Sequence, residues 1–245
     1  MPDSPPRRAG RARLESGPFD VLVIGGGITG AGVALDAAAR GFSVALVEQG
    51  DFASGTSSRS TKLVHGGLRY LPLGDVRQVR EDLAERARLL RNAPHLVRPL
   101  PFVLPLYAGA RRPLGVALPG VLRAAAPIGV SAGLWAYDAL AGRLSGHPHR
   151  ALSAGAAQSV FPALRLDGLR RAYLYYDAGT DDARLVIAVL RTAEARGAVA
   201  LNYARAVELL RRDGRIAGAR VVDLQSGDAF SVPARTTVNA AGVWA

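Results

Sequence analysis

Six residues, Gly25-Gly26-Gly27-Ile28-Thr29-Gly30, limit what this chain can fold into more than any other stretch of it. They follow a short apolar run, FDVLVI from Phe19 to Ile24, and open an Ala-rich, helix-prone segment that reaches Arg40 before Gly41. A second apolar run, SVALVE, then occupies Ser43 to Glu48. Strand, glycine turn, helix and strand within about 30 residues make a βαβ unit, and G-x-G-x-x-G at its first turn is a dinucleotide fingerprint. The glycines have separate roles: Gly25 allows the tight turn, Gly27 lets the backbone approach a pyrophosphate, and Gly30 permits close packing of helix on strand. The helix N-terminus then presents unpaired N–H groups and a positive dipole end to the phosphates, with Gly26, Ile28 and Thr29 completing the cradle. Glu48 supplies the acid expected about 20 residues on, where it accepts hydrogen bonds from the adenosine ribose and disfavours a 2′-phosphate. This much leaves NAD and FAD both open.

The rest of the chain extends that unit. Residues 51–67, DFASGTSSRSTKLVHGG, read as a Ser/Thr/Gly-rich loop. Val76, Val79, Leu83, Ala87 and Leu90 recur at spacings of three and four between charges, which predicts a surface helix over 75–92 with Arg77–Glu81 paired on its wet face. The four prolines between Pro94 and Pro105 read as an extended connection or edge strand. Residues 113–142, apolar and broken by prolines, predict short helices. Tyr173–Tyr176 is strand-like, and Thr180 or Asp181 can N-cap a helix that Gly197 stops, so Asp181-Asp182 reads as capping rather than as an acid/base pair. A strand over 198–202 and a three-stranded meander over 204–232, turning at Asp213-Gly214 and again at Ser226–Asp228, follow. The expected fold is α/β, Rossmann-like, with an inserted substrate-domain segment and the meander. Its last strand, entering the glycine turn at Asn239–Gly242, has no following element, so the chain is expected to be the N-terminal portion of a longer protein. The expected division is a disordered tail at 1–16, a discontinuous nucleotide-binding domain at 17–92 and 178–245, and a partial substrate or cap domain at 93–177.

Composition removes several function classes. There is no cysteine, which excludes disulfides, thiolate metal sites, thiol nucleophiles and cofactors tethered through sulfur; no metal site is expected. The net charge of +11 would suggest nucleic acid. All but one of the 31 basic residues are arginine, however, scattered in short clusters without an aromatic-interleaved stripe, which points to base composition of the gene rather than a binding patch. No apolar segment lies behind the basic residues of the N-terminus, and the most apolar window, 114–141, carries Pro119, Arg123 and Pro127, so neither a signal peptide nor a spanning helix is expected. A cytoplasmic protein is the expectation.

Residues 48–71 (EQGDFASGTSSRSTKLVHGGLRYL), 92–105 (NAPHLVRPLPFVLP), 175–186 (YYDAGTDDARLV) and 237–244 (TVNAAGVW) closely resemble FAD-dependent glycerol-3-phosphate dehydrogenases, within the D-amino-acid-oxidase-like flavoproteins. The resemblance implies non-covalent FAD, oxidation of sn-glycerol 3-phosphate to dihydroxyacetone phosphate, and electrons passed to quinone at a peripheral contact with the inner face of the cell membrane. Homo-oligomerisation is compatible with it. An oxygen-using glycerol-3-phosphate oxidase and a non-catalytic flavin-binding module remain as alternatives. By residue chemistry the hydroxyls of Ser54, Thr56, Ser57 and Ser58 suit pyrophosphate and ribityl oxygens, and Ala241 and Gly242 let the closing strand approach the cofactor. Lys62 stands out as the one lysine, and the resemblance puts it with Leu63 near the flavin and Ala206-Val207 by the adenine. Arg69 offers a planar fork for a phosphate dianion and Tyr70 a hydroxyl, the pair that contacts substrate in the family. The family's further basic ligands and its catalytic histidine fall beyond Ala245; within this chain His65 is the candidate proton-transfer group, against the commoner role of a structural histidine.

Overall fold

A computed structural model describes residues 5–108, 126–142 and 147–245. In chain order its elements are α1 (Pro5–Glu15), β1 (Phe19–Ile24), α2 (Ile28–Ala39), β2 (Val44–Val47), β3 (Leu63–Val64), α3 (Val76–Asn92) and β4 (Val97–Tyr107). There follow α4 (Ala126–Ala141), β5 (Arg150–Leu152), α5 (Ala154–Val160), β6 (Leu169–Thr180) and α6 (Asp182–Ala195). The last are β7 (Val199–Leu201), β8 (Ala204–Arg212), β9 (Arg215–Asp223) and β10 (Ala229–Asn239). They form two compact units, Met1–Lys62 with Asp181–Ala245, and Leu63–Thr180.

The first unit is built on a six-stranded sheet of order β7-β2-β1-β10-β9-β8. β7, β2, β1 and β10 run parallel, and β10, β9 and β8 form the expected antiparallel meander. β10 joins the two halves: its residues Ala229–Pro233 pair with β9 and its residues from Ala234 onward pair with β1. The hairpin turn at Asp213-Gly214 has positive φ at both residues (51° and 75°), as a type I′ turn demands. One sheet face is covered by α2 and α6, whose Ala31, Ala34, Val186 and Leu190 pack on Val23, Val44 and Leu46. Small alanines on α2 let its axis come close to the strands.

The other face corrects the expected disordered tail. Residues Pro5–Glu15 form a helix, and Leu14 is fully buried among Leu22, Val47, Leu201 and Val232. Arg7 bonds Asp223 at 2.7 Å and Arg11 bonds Asp228 at 2.7 Å. With Arg7 also donating to the Asn202 carbonyl at 2.8 Å and Arg13 to that of Gly197 at 3.1 Å, these contacts order a segment whose one large apolar residue is Leu14.

In the second unit β6 is central, with β4 antiparallel along one side and β3 and β5 on the other. β4, with Pro99, Pro101 and Pro105, is an edge strand as expected, where a missing N–H breaks no ladder. α3 begins at an Asp75 cap whose carboxylate accepts from the Gln78 amide at 3.1 Å. Its Val79 and Leu83 pack with Leu106, Leu134 and Tyr137, so α3 belongs to this unit and the division falls at Lys62/Leu63 rather than after residue 92. Of the short helices expected over 113–142, residues 113–125 lie outside the described part, and Ala126–Ala141 is one helix. Among the described residues no helix is long and apolar enough to cross a membrane.

Candidate functional site

The glycine turn, Glu48 and the Ala240–Gly242 segment converge at the carboxyl ends of β1, β2 and β10. There they line a cleft of about 570 Å³ with Ser54, Thr56, Ser57, Ala204 and Ala206. The turn has room only for glycine: a Cβ on Gly30 would lie 1.9 Å from the Gly25 carbonyl oxygen, and one on Gly25, at φ 114°, 2.4 Å from that of Ala240. α2 therefore starts tight against β1. No side chain caps it at Gly27, and no acidic residue stands in its first turn. Its positive end is left for an anion beside Ile28 and Thr29, which line the cleft.

Glu48 lines the cleft as expected and also closes it. Its Oε2 accepts the Gly26 N–H and its Oε1 the Gly50 N–H, both at 2.7 Å. One carboxylate thus ties the glycine turn to the loop after β2, and each oxygen keeps a second lone pair for a ribose hydroxyl. Ser57 Oγ accepts the Ile28 N–H at 2.9 Å, keeping its own proton to donate. These groups fit a flavin dinucleotide: a glycine-only cradle, a helix N-terminus, an acid and small hydroxyls.

Other expected residues stand differently. Ser58 and Lys62 are outside the cleft lining. Lys62, with φ 61°, donates to the Ser58 carbonyl at 2.7 Å and pairs with Asp182. Burial alone would raise the Asp182 carboxyl, but hydrogen bonds from Lys62 and Ser60 outweigh it and bring it down to about 2. The cap of α6 is Asp181, which accepts the Arg184 N–H at 3.1 Å, so the two aspartates divide capping and ion pairing between them. Ala206 lines the cleft, whereas Val207 is 46% exposed and outside it. Leu63 belongs to β3 of the second unit. Sequence reasoning missed Arg59, Arg205 and Trp244, all in the lining. The arginines were hidden by an arginine-rich background.

In the second unit a 3₁₀ turn, Leu68–Leu73, carries Arg69 and Tyr70. Arg69 Nη2 donates to the Tyr70 hydroxyl at 2.6 Å, and its guanidinium lies 4.8 Å over the Tyr70 ring. The exposed fork is thereby oriented rather than free. His65, also exposed, has Nδ1 3.8 Å from Asp82 Oδ2. Behind this loop the Gly66 N–H donates to Asp177 Oδ1 at 2.8 Å, within a buried group that includes Arg86 and Tyr137. Burial raises the Tyr137 hydroxyl well above its ordinary value and pushes that of Tyr175 up to about 12, with the Asp177 charge acting in the same sense. Neither phenol ionises near neutrality.

Residues 20–245 match the family described as FAD dependent oxidoreductase. The chain is 40% identical over 235 residues to the aerobic glycerol-3-phosphate dehydrogenase of Staphylococcus haemolyticus, covering 96% of this chain and 40% of that protein. It is 42% identical over 254 residues to the mitochondrial glycerol-3-phosphate dehydrogenase of Mus musculus, covering 98% of this chain and 33% of that one. Among solved structures, the glycerol-3-phosphate dehydrogenase from Bacillus halodurans complexed with FAD superposes with a TM-score of 0.72 at 34% identity, over all of this chain and 38% of the other. L-proline dehydrogenase from P. horikoshii, at 19% identity and a TM-score of 0.64, shares the fold.

Proposed function

Since the chain belongs to the FAD dependent oxidoreductase family, we propose that it provides the flavin-binding part of an enzyme that oxidises sn-glycerol 3-phosphate to dihydroxyacetone phosphate and passes the electrons to a quinone. The observation that carries this reading is the glycine-only cradle with Glu48, in a chain 40% identical to a glycerol-3-phosphate dehydrogenase over 96% of its length. When bound, FAD supplies the acceptor for the two electrons leaving the carbinol carbon of the substrate. The residues of this chain hold and orient. The Gly25–Gly30 turn and the start of α2 bind the diphosphate, Glu48 the ribose, and Thr56 and Ser57 the neighbouring oxygens. Arg69, braced on Tyr70, makes two charge-assisted hydrogen bonds to the substrate phosphate. This chain has no cysteine with which to tether the flavin through sulfur. A peripheral membrane contact for the quinone is supported by α4, where Ile128 and Trp135, seven residues apart and so on one helix face, are 74% and 66% exposed.

The test uses the full-length protein. It should purify yellow, release its flavin on acid precipitation, and bleach anaerobically with glycerol 3-phosphate but not with L-proline or glycine. Reoxidation should be faster with a soluble quinone than with oxygen. Rapid peroxide formation would assign an oxidase instead, and a flavin that glycerol 3-phosphate does not bleach would leave a binding module without this activity.

A further inference from the structure

Under the loop that carries Arg69 lies a buried charge that none of the steps above uses. Arg86 of α3 and Asp177 of β6 are 4% and 7% exposed at their side chains, with Nη1 and Oδ1 2.6 Å apart. The same Oδ1 accepts the Gly66 N–H at 2.8 Å and the Tyr137 hydroxyl at 3.0 Å, and Arg86 Nη1 also reaches the Tyr176 carbonyl at 2.9 Å. A buried ion pair gives a core little net stability, because desolvation offsets the attraction; apolar residues of similar size would serve as well. What it does supply is direction. Gly66 lies directly on the cluster: a Cβ there would fall 2.0 Å from the Tyr137 hydroxyl oxygen and 2.6 Å from Leu83 Cδ2. Gly67 follows in the left-handed region at φ 74°, and its carbonyl accepts the Tyr70 N–H at 2.8 Å. Arg69 thus stands three residues from an amide that is fixed at a defined point.

We infer that Asp177, with Arg86 and Tyr137, forms a positioning cluster that fixes the Gly66 amide and so sets where Arg69 and Tyr70 are presented to the substrate phosphate. This rests on the assignment of Arg69 above. Asp177 carries the position by accepting from three donors at one oxygen; Tyr137 closes the far side of the loop. The cluster acts through Arg69 and not on the substrate, so its effect vanishes when Arg69 is gone.

The experiment is a double-mutant cycle in the FAD-loaded full-length protein, with flavin content measured alongside turnover of glycerol 3-phosphate. Asp177→Asn should keep its flavin and lower kcat/KM about tenfold, chiefly through KM, as loss of one charge-assisted contact would. Added to Arg69→Ala, which alone should lower kcat/KM roughly tenfold to a hundredfold, the same change should cost less than about twofold. If Asp177→Asn fails to fold, Tyr137→Phe removes the hydroxyl that donates to Asp177 and accepts from Arg86, and leaves the ion pair. It should raise KM roughly threefold or more in the wild-type background and leave KM unchanged in the Arg69→Ala background. Equal effects in both backgrounds, or none in either, would overturn the positioning role while leaving the Arg69 assignment intact. Arg69→Ala with normal kcat/KM would overturn the assignment of Arg69 and the positioning role together.

Discussion

A Cβ on Gly30 would sit 1.9 Å from the Gly25 carbonyl oxygen, backbone against backbone, whereas one on Gly32, a turn-mate on the same helix, would meet nothing within 4 Å. Gly30→Ala must therefore push the start of α2 away from β1, at a cost of about 1–3 kcal/mol, and displace the amides that hold the diphosphate. Gly32→Ala should stabilise by about 0.4–1 kcal/mol, because it only narrows the unfolded ensemble. In the full-length protein, flavin absorbance and thermal midpoint should separate the two: Gly30→Ala loses most of its flavin and melts earlier, and Gly32→Ala keeps its flavin and melts later. A Gly30→Ala protein with full flavin would show that the tight approach is not needed. The glycines and Glu48 were legible because their roles are local: a turn between one strand and one helix, and an acid at the next strand end. The second role of Glu48, bonded to the Gly26 and Gly50 amides, depends on how two loops meet and left no mark in the spacing. Lys62 stands out by rarity and by the resemblance, and its partner Asp182, 120 residues away, is not legible from either.

Among the elements, α1 shows how a segment with a single large apolar residue, Leu14, can be ordered by its contacts. Its Leu14 is fully buried in the cluster with Leu22, Val47 and Val232, while Arg7 meets Asp223 at 2.7 Å in a pair 10% and 5% exposed. Leu14→Ala should cost about 2–5 kcal/mol, the range for emptying a leucine site in a packed core. The urea midpoint of the full-length protein measures it, and a change below about 0.5 kcal/mol would mean that α1 adds nothing to the sheet it covers. Such a helix cannot be read from a window of sequence, since its anchors lie across the sheet. The same reason hid Arg86. By period it falls on the apolar face of α3, three residues after Leu83 and seven after Val79, and a charge there is 3% exposed because Asp177 on β6 stands opposite it. By contrast, the strands β1 and β2, the meander and α6 follow from apolar runs and turn residues that act within a few positions. β10 is intermediate: its strand character is legible, but its change of partner at Pro233/Ala234 is a property of the whole sheet.

Over the whole molecule, the carboxylates decide how the fold responds to acid. Asp20 is lowered from its ordinary value of 3.8 by the Ser43 amide and hydroxyl, Asp36 by Arg40 and Asp228 by Arg11. In Asp223 burial pushes upward and the Arg7 guanidinium outweighs it; in Asp182 Lys62 and Ser60 do the same, bringing it to about 2. A carboxyl whose value is lower in the fold than in the unfolded chain holds its proton less readily there. Its contribution is present above the unfolded value and is lost as pH falls through the folded one. Glu194, raised by burial, runs the other way, one group against five. Protonation also adds positive charge to a chain that already carries +11 at neutral pH, and self-repulsion acts in the same direction. The urea midpoint of the full-length protein should therefore fall steeply from about pH 4 to about pH 2. Asp182→Asn should flatten the lowest part of that decline, since the group that titrates near 2 is then missing. A midpoint that holds steady from about pH 5 down to pH 2 would show that these arginine–carboxylate contacts do not persist in solution. A decline unchanged in the Asp182→Asn protein would place the acid sensitivity in Asp20, Asp36, Asp223 and Asp228, and removing each in turn would separate them.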